Sequence, residues 1–107
     1  MSMPSRVRVG FRTYRVLRMP KDWERDDAGQ HSSDTQRIRY RKISPVEDVG
    51  TVFHEIGHGG WEMSGLGRAA EEEQAVTVLT NCFITALVDN PELLEHLYQT
   101  LRKDEGH

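Results

Sequence analysis

The chain has 107 residues, 36% of them apolar, which suffices for one small domain with a single core and excludes a separate regulatory unit. Its one cysteine, Cys82, excludes an internal disulfide and is predicted to be a small buried residue. The net charge is −3, but it is unevenly distributed: residues 1–42 are basic and residues 43–107 are acidic. No apolar run suits a signal peptide or a transmembrane span, so we predict one cytoplasmic domain over residues 1–107.

The basic part predicts a small sheet. Val7 and Val9 alternate with arginines, and a second such run over residues 14–17 follows Gly10, which is typical of a tight hairpin. Residues 36–42 alternate again, with Ile38 and Tyr40 on one face and arginines on the other. We expect a strand there, paired with a short one near residues 30–32.

Residues 20–33 are rich in Asp, Gly, Ser and charged side chains, so they predict a loop. Trp23 is its one large apolar side chain and is expected to anchor it to the core.

Residues 44–47, Ser-Pro-Val-Glu, predict a helix start, with Ser44 as N-cap, proline at the first position and Glu47 completing a capping box. His54, Glu55 and His58 follow in an HExxH motif. Histidines four apart on a helix share one face and can bind one Zn²⁺, with the glutamate beside the metal-bound water. The apolar residues of this helix are predicted on the opposite, buried face: Val46, Val49, Val52, Phe53 and Ile56.

Gly57, Gly59 and Gly60 predict that this helix ends soon after His58, with Trp61 and Met63 in or beyond the turn. A second helix is expected from about Arg68.

Three glutamates open the second helix and supply candidates for a third metal ligand. Glu72 falls on its predicted inward stripe, which also carries Ala75, Val76, Leu79, Cys82, Phe83, Ala86 and Leu87. A carboxylate on a buried stripe needs a partner, and a zinc ion supplies one. We therefore predict Glu72 as third ligand, with Glu73 and then Glu71 as alternatives.

This ligand set predicts hydrolysis, with Glu55 as general base for a zinc-bound water and a peptide bond as the usual substrate. Extended substrate is expected to pair with a strand edge, for example residues 36–42. Tyr14, Tyr40 and Trp61 are candidates for stabilising the oxyanion.

Residues 89–92, Asp-Asn-Pro-Glu, break the second helix and predict a third, amphipathic one that packs on the domain. His31, His96 and His107 have no ligand spacing to the motif, so each is predicted at the surface.

The chain resembles small phage- and prophage-encoded HExxH proteins of the minimal zincin type, and more distantly the metallopeptidase domains of phage immunity regions. The resemblance is carried by VRVGFRTYRV at residues 7–16, HEIGH at 54–58, EEEQAV at 71–76 and DNPELL at 89–94. It implies an α+β fold, in which a small antiparallel sheet packs on the HExxH helix, with two further helices. It also implies zinc on His54 and His58, with a glutamate from the following helix.

Two other functions remain open. The arginines at 6, 8, 37, 39 and 41 would share outward sheet faces and give a basic surface for nucleic acid, although a solvated face also explains them. Alternatively, the chain is a virion or host-interaction protein that keeps the zinc-binding scaffold without turnover.

Overall fold

Four strands and three helices make up the chain, in the order β1 to β4 and then α1 to α3. The computed structural model describes residues 3–21 and 28–105, apart from the side chains of 103–105, so Trp23 and His107 lie outside the described residues. The strands are β1 (Arg6–Val9), β2 (Arg12–Arg18), β3 (Gly29–Ser32) and β4 (Arg37–Tyr40), and the helices are α1 (Pro45–Ser64), α2 (Ala69–Asp89) and α3 (Pro91–Glu105). The α+β class and three helices are confirmed.

The predicted hairpin is present, and it supplies much of the core. Strands β1 and β2 pair antiparallel around Gly10, whose positive φ of 60° suits glycine. Tyr14 and Ile38 are fully buried on the inner face of the sheet, where they pack with Val52 of α1. The period-two alternation therefore identified the correct face.

The sheet is mixed rather than wholly antiparallel as predicted, because one of its three strand pairs is parallel. The strand order is β1-β2-β4-β3, and β2 pairs with β4 in parallel, with Val16 opposite Ile38. A parallel pair requires a crossover between its strands, and the long segment between β2 and β4 provides it. The predicted short strand is confirmed as β3, which pairs antiparallel with β4 and forms one edge of the sheet.

Helix α1 begins at the predicted residue with Ser44 as N-cap. The Glu47 carboxylate accepts a hydrogen bond of 2.9 Å from the Ser44 hydroxyl, whereas a capping box uses the Ser44 backbone N–H. The Ser44 side chain accepts a hydrogen bond from the Glu47 backbone N–H, and Pro45 occupies the first turn. Asp48 adds a contact that the sequence did not reveal, because its buried carboxylate accepts a hydrogen bond of 2.8 Å from the Ile43 backbone N–H. The start of the helix is thus tied to Ile43, in the segment that joins β4 to α1.

The predicted end of α1 after His58 is wrong, because the helix continues to Ser64 and ends at Gly65 in the left-handed conformation. Its glycines serve close packing instead. A Cβ on Gly57 would lie 2.9 Å from a Val76 methyl, and one on Gly59 would lie 3.4 Å from the Tyr14 hydroxyl. These positions let α1 approach α2 on one side and the sheet on the other.

The buried face of α1 also differs from the prediction. It carries Asp48, Val52, Glu55 and Gly59. Val46, Val49 and Phe53, expected in the core, are exposed. The sheet packs on the side of the helix next to the histidines, so polar groups of the motif are partly buried with it.

Most side chains of helices α2 and α3 are exposed to solvent or only partly buried. Only Val76 is buried in α2, whereas Leu79 and Phe83 of the predicted inward stripe are exposed, and Cys82 is exposed rather than buried. All described side chains of α3 are exposed, so the prediction that it packs on the domain is wrong. Among the described helices, none is both long and apolar enough to cross a membrane.

Candidate metal centre

His54 and His58 lie one turn apart on α1 and point their rings at each other. Their Nε2 atoms are 3.1 Å apart, and the rings meet edge to face with centroids 4.7 Å apart. Both side chains are partly buried, with exposed fractions of 24% and 12%. The helical spacing of the motif therefore brings two ligand nitrogens together, as the sequence predicts.

The first turns of α2 add a carboxylate to this pair. Glu73 places one oxygen 3.1 Å from His54 Nε2 and the other 2.8 Å from His58 Nε2. His54, His58 and Glu73 thus form a cluster of three potential ligands on two helices. Glu73 keeps 63% of its side chain exposed, so the cluster opens toward solvent.

Glu72, the residue preferred from the sequence, takes a different position. Its carboxylate lies 2.6 Å from Nδ1 of His58, on the opposite side of the ring from Glu73. Only 21% of the side chain is exposed, which agrees with its predicted inward direction. The geometry makes Glu72 a hydrogen-bond acceptor for the His58 ring, whereas Glu73 is the carboxylate that faces the Nε2 atoms of both histidines.

The contact with Glu72 favours one tautomer of the His58 ring. When neutral His58 donates its Nδ1 proton to Glu72, its Nε2 atom keeps a lone pair that points at His54 and Glu73. Lone pairs and a carboxylate within 3.1 Å of one another repel unless a proton or a cation lies between them. A cation bound between the three groups would remove this repulsion, and so would a proton on either Nε2 atom.

Glu55 lies beside the cluster and is buried. It is 7% exposed and lines an open groove of about 840 Å³ together with both motif histidines and Glu73. Residues of β3 form one wall of this groove, and Thr80, Asn81 and Ile84 of α2 form another. A ligand in the groove would lie against Glu55 and the cluster at once.

His31 of β3 belongs to the same site, so its predicted surface position is wrong. Its ring stacks on His58 with centroids 5.8 Å apart and planes 5° from parallel. Nδ1 lies 3.7 Å from Glu55, and Nε2 lies 3.2 Å from Glu62. His96, in contrast, is exposed as predicted.

Two carboxylates change the electrostatics of His31. Glu55 has the largest effect and raises the pKa of His31, burial opposes this, and Glu62 adds to the rise. At 3.7 Å the Glu55 contact is long for a hydrogen bond, so we attribute its effect mainly to charge. In turn, hydrogen bonding from Ser33 and then from His31 lowers the pKa of Glu62.

The three aromatic candidates for oxyanion stabilisation are not brought together here. The Tyr14 hydroxyl is buried beside Gly59 and has no hydrogen-bond partner among the described residues. Trp61 donates its ring N–H to the Gly67 carbonyl, 2.6 Å away. Neither Trp61 nor Tyr40 lines the groove.

Neither family models, curated proteins nor solved structures gave a match.

Proposed function

We propose that this protein is a zinc-dependent hydrolase that cleaves peptide bonds, of the minimal zincin type that its motifs resemble. His54, His58 and Glu73 would hold the ion. The observation that carries the proposal is the convergence of two Nε2 atoms of the HExxH helix and one carboxylate of α2 within 3.1 Å. Two histidines and one glutamate with an open fourth position are a ligand set of catalytic zinc sites.

The separations between these ligand atoms suit a shared ion. Ligands of one tetrahedral zinc, each about 2.0–2.1 Å from the metal, are about 3.3 Å apart. The distances of 2.8 to 3.1 Å in the cluster are slightly shorter, so small side-chain rotations would suffice. Glu72 supports this by fixing His58 with its Nε2 lone pair toward the cluster.

Glu55 is the proposed general base. When bound, zinc supplies a water of lowered pKa and polarises the substrate carbonyl. Glu55, buried beside the histidines, would accept the proton from that water and later deliver it to the leaving amine. His31 of β3 lies 3.7 Å from the same carboxylate.

The substrate is proposed to bind as an extended peptide beside β3. The sequence suggested the strand at residues 36–42, but β4 lies inside the sheet between β2 and β3. Strand β3 is an edge strand and forms a wall of the groove. An edge strand offers unpaired backbone groups to a peptide, so Gly29–Ser32 supports this role better.

Metal analysis and peptide hydrolysis test the proposal together. We expect one zinc per chain in the wild type and much less in His58→Ala, measured by elemental analysis after gel filtration. Glu55→Gln should keep its zinc and its fold but lose hydrolysis of a mixed peptide library, by about 100-fold or more, because the base is gone.

Exposed Glu95 provides a matched control for charge removal. Glu95→Gln should retain both zinc and hydrolysis. A wild type that binds no zinc contradicts the zinc site. A zinc-loaded wild type that cleaves no better than Glu55→Gln contradicts catalysis and favours a non-catalytic, zinc-binding interaction protein.

The sheet register favours one further candidate function, nucleic-acid binding. Arg6, Arg15 and Arg37 are paired neighbours in successive strands, so they lie in one row on the outer face. Such a row can contact phosphates. Changing Arg6 and Arg15 to Gln should then weaken salt-dependent DNA binding, whereas an unchanged gel-shift titration would reject this function.

A further inference from the structure

Helix α3 leaves an apolar surface uncovered. Every described side chain over residues 91–102 is exposed, and its contacts are mainly with α2. Its large apolar residues are between 41% and 60% exposed: Leu93, Leu94, Leu97, Tyr98 and Leu101. Their spacing of three and four places them on one stripe. A helix of 15 residues is marginal in water unless such a stripe is packed.

Helix α2 carries a second exposed stripe just before α3. Leu79 and Phe83, four residues apart, are 55% and 60% exposed, and Cys82 lies between them and is also exposed. The two helices are separated by Asn90 alone, whose side chain donates a hydrogen bond to the Ala86 carbonyl. The α2–α3 surface, defined as these two stripes, therefore lies on adjoining helices.

We propose that a second copy of this chain covers the α2–α3 surface in a two-fold symmetric dimer. Seven large apolar side chains, each about half exposed, offer roughly 700 Å², close to the ~800 Å² that each partner contributes to a standard interface. A two-fold dimer uses the same patch on both copies, so one apolar surface is sufficient. Leu94, Leu97 and Leu101 also have the three-then-four spacing of paired helices.

Charge argues against a membrane or nucleic acid as the occupant. Residues 69–89 contain no Lys or Arg, and the exposed charged side chains of α3 include Glu92 and Glu95 as well as Arg102. Helices that lie on membranes carry Lys and Arg on their polar face. A second copy requires no basic residues, and this inference does not depend on zinc.

Sedimentation velocity of the full chain across the micromolar range tests the dimer. We expect the wild type to sediment as a dimer that dissociates on dilution. Phe83→Glu and Leu97→Glu should each weaken association by more than about tenfold, because each would bury an unpaired carboxylate at the interface. Leu97→Ala, which loses only apolar contact, should weaken association less than Leu97→Glu.

Phe11→Glu is the matched control, because Phe11 is 74% exposed but lies at the tip of the β1–β2 hairpin. It should dimerise like the wild type. The far-UV circular dichroism of Phe83→Glu and Leu97→Ala should show that the fold is kept. A wild type that stays monomeric overturns the proposal. This holds also if the monomer binds vesicles or another protein. Equal dissociation by Phe11→Glu also overturns it.

Discussion

Glu72 and Glu73 are neighbours in sequence, yet they contact opposite nitrogens of His58. Glu72 lies 2.6 Å from Nδ1, and Glu73 lies 2.8 Å from Nε2. Helical periodicity indicated correctly that Glu72 points inward. Which nitrogen each carboxylate meets depends on the orientation of the histidine ring, which spacing along the chain does not determine.

We therefore expect the two glutamates to differ in their effect on zinc affinity. Glu73 is the proposed charged ligand, so Glu73→Gln should weaken zinc binding by at least about 100-fold. Glu72→Gln should weaken it by about tenfold, because it removes only the support of His58. Competition with a zinc chelator measures both. The reverse order would restore Glu72 as the third ligand.

His31 predicts a pH effect in the metal-free protein. Glu55 raises the pKa of His31 above its ordinary value of 6.5. The resulting stabilisation is fully present below the unfolded-state pKa and is lost as the pH rises through the higher folded-state pKa. An NMR titration of the His31 ring should show this raised pKa, and Glu55→Gln should lower it.

Glu95→Gln, which changes an exposed carboxylate on α3, serves as the control and should leave the His31 titration unchanged. A His31 titration that is the same in wild type and Glu55→Gln would contradict the proposed contact. The sequence did not indicate this residue, because His31 reaches the motif only through the pairing of β3 with β4.

At the scale of elements, two glycines of α1 offer a matched test of helix packing. A Cβ on Gly57 would lie 2.9 Å from Val76, whereas a Cβ on Gly50 has no neighbour within 4 Å. Alanine improves helix propensity by about 1 kcal/mol at either position. Gly50→Ala should therefore raise the free energy of unfolding, and Gly57→Ala should lower it by about 1–2 kcal/mol through overpacking.

Urea denaturation measures both changes. Val76→Ala should relieve much of the Gly57→Ala effect in the double variant, because it removes the clashing methyl groups. Equal stabilisation by the two alanines would show that α1 and α2 tolerate a wider separation.

The same glycines explain why the end of α1 was mispredicted. Glycine is a poor helix former, so local propensity favours termination after His58. Gly57 and Gly59 instead allow contact with Val76 and Tyr14, which are distant in sequence. The start of α1 was predictable because Ser44 and Glu47 interact within a single turn.

At the scale of the whole molecule, strands and helices followed from local patterns, whereas their packing did not. The alternation around Ile38 identified its strand and its buried face, but nothing local specified a parallel partner in β2. The apolar periodicity of α2 and α3 was real. From this periodicity we expected the apolar stripes of both helices to pack against the rest of the domain, whereas the structure leaves them exposed.

The short connection between α1 and α2 places His54, Glu55, His58, Glu72 and Glu73 on two consecutive helices. The sheet adds His31 and the edge strand that borders the groove. Sequence changes in β3 could therefore alter one wall of the groove while leaving the five helical residues in place. In a fold divided in this way, the shape of the groove and the cluster of His54, His58 and Glu73 can change independently.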